Sequence, residues 1–270
     1  MNELQRIVER TRRELRARRG ENPLASLRER AAARMQHDPI REFTGALAAP
    51  GLSVIAEHKR RSPSAGPIRT DLELEDVVAA YERGGARALS VLTERAGFGG
   101  SLDDLARARA AATLPILRKD FIVDPYQVVE AVAAGADAIL LIVAALDPAV
   151  MRSLHELASE YGLGVLVEVH DADELAIAAA IEPAVIGINN RDLTTLEVDT
   201  ARTFELVASA PAGTVLVSES GLRTPEDVRG VVGAGVDAVL VGEALMRSAD
   251  IEAACRALVD APAAAPTMDR

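Results

Sequence analysis

The segment TVLVSESGLRTPEDVRGVVGAGVDAVLVG (214–242) reads as strand, loop, helix, turn, strand. TVLVSE (214–219) is a β-branched run of the length of a buried strand. Thr224 precedes Pro225, a capping residue followed by the one residue that loses nothing at the first helical position. The helix ends on glycine in VVGAG, and AVLVG (238–242) opens a second buried run.

The same alternation extends back to residue 51. SVIAE (53–57), ALSVL (88–92), PILRK (115–119), AILLIV (138–143), GVLVEV (164–169) and VIGIN (185–189) are the other apolar runs, each followed by a helical stretch. Eight strands alternating with helices specify a parallel sheet. Eight units in roughly 200 residues suit a closed (β/α)8 barrel, a TIM barrel, better than a doubly wound sheet. GGARALSVL, AGADAILLI and AGVDAVLVG repeat one Gly-turn-strand pattern, an echo expected of a regular barrel. The expected layout is an N-terminal helical extension over 1–50, the barrel over 51–262 and a frayed tail over 263–270. Within the extension, Leu4, Ile7, Val8 and Leu15 mark one amphipathic helix, and a second covers 24–36.

Composition narrows the function. The chain is 49% hydrophobic but only 3% aromatic and has no Trp, so its core is aliphatic. A net charge of −11 argues against binding nucleic acid or an anionic membrane surface. One cysteine cannot form an internal disulfide, no apolar run reaches membrane length, and the first residues lack a signal-peptide core. The expected location is the cytoplasm. The histidines lack metal-ligand spacing, no nucleotide-binding glycine motif occurs, and no metal or cofactor is expected.

Of 30 basic residues only Lys59 and Lys119 are lysine. Arginine replaces lysine wherever charge alone matters, but not where a compact, ionisable ammonium is needed. Both lysines fall at the C-terminal ends of strands, the catalytic face of such barrels. Glu57, Glu168, Asn189, Arg191 and Glu219 fall there too. Glu57 and Lys59 are two apart and share a side of their strand, so His58 points away. Ser220, Gly221 and Gly242 follow the last two strands, the usual phosphate position. Ser62 lies in the long first loop EHKRRSPSAG (57–66), and Phe98 and Phe121 flank the strand ends. These residues alone leave open a sugar-phosphate isomerase, a Schiff-base aldolase using Lys119, or a non-catalytic binding barrel.

IAEHKRRSPSAG, LTERAGFGGS, LRKDFIVDPYQ, VEVH, IGINNRDL, SESGL and LVGEALMR occur in the order found in indole-3-glycerol phosphate synthases, which the chain resembles over roughly residues 4–260. That resemblance implies ring closure of 1-(2-carboxyphenylamino)-1-deoxyribulose 5-phosphate, with loss of CO2 and water and without a cofactor. It implies Lys119 as general acid, Glu168 as base and Lys59 as holder of the substrate carboxylate. Glu57 and Glu219 would fix the ammoniums and hydroxyls, and Asn189 would orient the sugar. Ser62, Ser220, Gly221 and Gly242 would meet phosphate, Arg191 would ion-pair within the site, and Phe98 and Phe121 would enclose the anthranilate ring. The implied partner is this small sugar phosphate alone, and a monomer is expected. One departure is Glu243, where many relatives carry Ser; its carboxylate is expected to point away from phosphate.

Overall fold

A computed structural model of the chain describes residues 2–264. Eight parallel strands close into one barrel. They are β1 (Ser53–His58), β2 (Ala88–Leu92), β3 (Ile116–Lys119), β4 (Ala138–Ile142), β5 (Gly164–Val169), β6 (Val185–Asn189), β7 (Val215–Glu219) and β8 (Ala238–Val241). Each pairs with the next, and β8 closes on β1 through Ser53 opposite Ala238. The registers align the polar ends: Leu92 lies opposite Lys119, Ile142 opposite Glu168, and Asn189 opposite Glu219.

Helices return the chain between strands, and three begin as Asp-Pro or Thr-Pro. Asp124, Asp147 and Thr224 each accept a hydrogen bond from the first turn of their helices. Buried Val, Leu, Ile and Ala fill the barrel and the layer between strands and helices.

Three helices precede the barrel: α1 (Glu3–Glu21), α2 (Leu24–His37) and α3 (Phe43–Ala48). Leu4, Ile7, Val8 and Leu15 of α1 are buried, and Asn2 with Gln5 forms a capping box at its start. α2 lies along helix Pro125–Ala134. The short α3, not singled out in the sequence, sets Phe43 against Gly164 at the N-terminal end of the barrel. Asp137 ties the layers together, accepting from Arg34, from Arg109 and from the backbone of Arg41 and Ile116.

The first loop is more ordered than a plain connection, because Arg61–Ser62 pairs with Gly66–Pro67 as a small hairpin. The final turn, Ala261–Ala264, takes in the first two residues of the expected frayed tail. The remainder of that tail, 265–270, lies outside the described residues.

Candidate active site

A cavity of about 480 Å³ opens at the C-terminal ends of the strands, a size suited to a small ligand. Glu57, Lys59, Lys119, Glu168, Asn189 and Glu219 line it together. So do Phe98, Phe121, Arg191, Ser220, Gly221 and Gly242.

The strand ends create two ionic groups. Lys59 Nζ lies 2.5 Å from Glu57 Oε1, and Ser90 donates to the other Glu57 oxygen at 3.2 Å. Alternation along β1 produces the first pair and leaves His58 buried on the outer side, where burial lowers its pKa to about 4. Lys119 Nζ donates to Glu168 at 2.7 Å and to Glu219 at 2.6 Å. Burial opposes the charge on Lys119, but Glu168, Glu219 and Glu57 outweigh it and hold its pKa well above the usual lysine value.

The two carboxylates on Lys119 differ. Glu168 also accepts from Asn189 Nδ2 at 3.0 Å. Burial raises its pKa, yet Lys119, His170 and Asn189 overcome that and keep it below the ordinary carboxylate value. Glu219 has only Lys119, and its Oε1 is buried without a partner. Burial together with Glu168 and Glu57 pushes it up to about 7 against the pull of Lys119. One carboxylate is thus held ionised, while its neighbour is poised to exchange a proton near neutral pH.

Two glycines make room for these groups. A Cβ on Gly242 would stand 2.6 Å from Glu57 Oε1, and one on Gly187 would collide with Glu219 Oε1. Gly242 therefore has a packing duty towards Glu57, which its phosphate-side position in the sequence did not suggest.

The aromatic wall is braced from behind. Phe98 ends the one-turn helix Arg95–Phe98, whose Gly97 and Phe98 amides donate to Glu94. Arg10 of α1 holds the other Glu94 oxygen at 2.7 Å. The Phe121 amide donates to Asp120, which is paired with the fully buried Arg118. Arg118 and Arg18 of α1 meet again on Glu130.

At the opposite rim, Ser220 and Gly221 have left-handed φ values of 64° and 82°. Arg223 and Arg247 line the cavity beside them, cations to which the sequence reading gave no role. Glu243 lines it too, with its carboxylate turned to Arg247 Nε at 2.9 Å.

Two residues are placed otherwise than expected. Ser62 is not among the lining residues; its hydroxyl accepts from the Ala65 amide at 3.1 Å and braces the hairpin. Arg191 reaches the cavity but forms no ion pair among the described residues, donating instead to the Leu196 carbonyl at 2.9 Å.

Comparison with known proteins places the chain in a family. The family model of indole-3-glycerol phosphate synthase matches residues 4–258. The chain is 51% identical over 235 residues to indole-3-glycerol phosphate synthase 2 of Streptomyces coelicolor, covering 87% of this chain and 90% of that one. It is 48% identical to the indole-3-glycerol phosphate synthase of Rhizorhabdus wittichii, covering 96% and 98%. Thiamine phosphate pyrophosphorylase from Pyrococcus furiosus shares the fold alone, with TM-score 0.59 at 20% identity over 82% of this chain and 98% of that one. The chain belongs to the indole-3-glycerol phosphate synthase family.

Proposed function

We propose that the chain converts 1-(2-carboxyphenylamino)-1-deoxyribulose 5-phosphate to indole-3-glycerol phosphate, CO2 and water. The observation that carries this is the buried Lys119 ammonium gripped by Glu168 and Glu219 at the strand ends.

The aryl carbon bearing the carboxylate attacks the ketone carbon, and Lys119 gives its proton to the oxygen that becomes a hydroxyl. Loss of CO2 returns the bonding electrons to the ring. Glu168 then takes a proton from the C1 methylene of the closed ring, while Glu219, with its pKa near neutrality, gives a proton to the departing hydroxyl, which leaves as water. Each such transfer contributes on the order of 10²–10⁴ in rate. No electrons are gained or lost overall.

Lys59 meets the substrate carboxylate with Glu57 fixing its ammonium, and Asn189 orients the sugar hydroxyls. Arg191 adds positive charge at the same mouth. Phe98 and Phe121 enclose the aromatic ring. The phosphate lies against Ser220, Gly221 and Gly242, with Arg223 and Arg247 near it; Ser62 supports the loop above. The enzyme acts as a monomer, with every group assigned above carried by one chain. No helix among the described residues is long and apolar enough to cross a membrane, and Cys255 is buried and free. The enzyme works in the cytoplasm on a freely diffusing substrate.

The two carboxylates that accept from Lys119 Nζ favour its ammonium form, whereas the Schiff-base alternative needs an unprotonated amine. Fluorescence assay of indole-3-glycerol phosphate formation should detect product with the wild type and almost none with Lys119→Arg, which keeps charge but cannot release a proton. A wild-type enzyme that forms no product overturns the reading.

A further inference from the structure

Whenever Glu219 is ionised, charge at the strand ends does not balance within the set of residues used above. Three carboxylates, Glu57, Glu168 and Glu219, meet two ammoniums, Lys59 and Lys119. Glu168 and Glu219 share the single charge of Lys119. When Lys119 turns to the substrate oxygen, Glu168 loses its main counter-ion at the moment it must remain ionised to act as a base.

A third cation stands behind it. His170 follows β5 two residues after Glu168, and its Nε2 lies 3.5 Å from Glu168 Oε1. Its side chain is only 9% exposed, and Nε2 has no hydrogen-bond partner. The other ring nitrogen, Nδ1, lies 3.0 Å from Glu174 Oε2, and the same oxygen accepts from the His170 backbone amide at 2.8 Å. Glu174 sits in the first turn of the helix Ala172–Ala179, where Asp171 caps its amide at 2.9 Å. Glu174 is therefore a fixed acceptor that makes Nδ1 a donor. With Nδ1 protonated, a neutral ring would turn a lone pair on Nε2 towards the Glu168 carboxylate, which is repulsive. A charged ring turns an N–H towards it, which is attractive.

We propose that His170 is a positioning residue for the reaction: anchored by Glu174, its imidazolium lends Glu168 a counter-charge that persists when Lys119 engages the substrate. This rests on the enzymatic reading above. The charged groups around His170 are Glu168 on β5, Glu174 on the following helix and Glu219 on β7, with Lys119 of β3 beyond Glu168. Burial lowers the His170 pKa, but Glu174, Glu168 and Glu219 outweigh it and raise it above that of free imidazole. The charge on His170 is present at acid and neutral pH and is lost as pH rises through that raised value.

The test is kcat against pH for the wild type, His170→Gln and Glu174→Gln. In His170→Gln the acid limb moves up by about one pH unit, the size of a neighbouring-charge effect, and kcat below the limb falls about tenfold. The two profiles converge at high pH, where the wild-type ring is itself neutral. KM stays unchanged. Glu174→Gln, which leaves the ring in place, shifts the limb the same way by less and serves if the first variant does not fold by circular dichroism. An unmoved limb, or a loss of equal size at every pH, overturns the proposal while leaving the enzyme assignment intact. A wild type without product overturns that assignment instead.

Discussion

The carboxylate of Glu219 on β7 lies directly over the α-carbon of Gly187 on β6, with no space for even one methyl group between them. Leu166 Cδ1 would lie 3.1 Å from the same Cβ. A floor residue without a side chain thus sets the height at which Glu219 reaches Lys119.

Gly187→Ala is expected to displace Glu219 while leaving the barrel folded, because the severe clash is with the end of the Glu219 side chain and the Leu166 methyl needs to give by only a few tenths of an ångström. An error of about 1 Å in a catalytic group costs on the order of 100-fold in rate. Steady-state kinetics should show that loss in kcat, with an unaltered circular dichroism spectrum.

Glu219 also makes stability depend on pH. Its pKa is about 7 when folded, against 4.5 for the unperturbed group. The folded chain therefore holds a proton on this residue that the unfolded chain has already released. The favourable contribution is complete below about 4.5 and disappears as pH rises to 7. Glu219→Gln removes this dependence. Relative to wild type, the variant should gain stability between pH 5 and pH 8, by at most about 3 kcal/mol at roughly 1.4 kcal/mol per pKa unit. Loss of an anion beside Lys119 offsets part of that gain. Urea unfolding at the two pH values measures the difference.

Glu243 and Arg247 pair across one helical turn at the cavity rim. Glu243→Gln is expected to free the guanidinium and remove one negative charge near the proposed phosphate position. KM for the phosphorylated substrate should fall by up to about fivefold, the scale of an exposed ion pair, and the improvement should shrink as salt is added. Kinetics at low and high ionic strength would show both effects.

Much of this architecture was legible because each strand is built on a short apolar run bounded by turn and helix signals, and its observed limits lie within a residue of the stretch read from the sequence. Both lysines stood out because arginine had displaced lysine everywhere else. Ser62 shows where legibility ended. The sequence RSPS does not say that residues 61–67 fold back as a hairpin, and that pairing turns the Ser62 hydroxyl to the Ala65 amide. His170 was passed over for a related reason: β5 ends at Val169, so alternation no longer dictates direction, and only Glu174 four residues later fixes the ring. Arg118 was equally opaque. Nothing in PILRK says that the charged residue beside Lys119 is completely enclosed, which Asp120 and Glu130 allow.

Confinement of both lysines to the cavity has a practical corollary. Their side chains are 20% and 13% exposed, at Lys59 and Lys119, and the exterior carries its positive charge as guanidinium. Acylating reagents aimed at primary amines have no side-chain target elsewhere, so apart from the α-amino group they would count open catalytic chambers. Immobilisation chemistry that relies on surface amines would, for the same reason, attach this enzyme by its α-amino group or by the two residues that line its cavity.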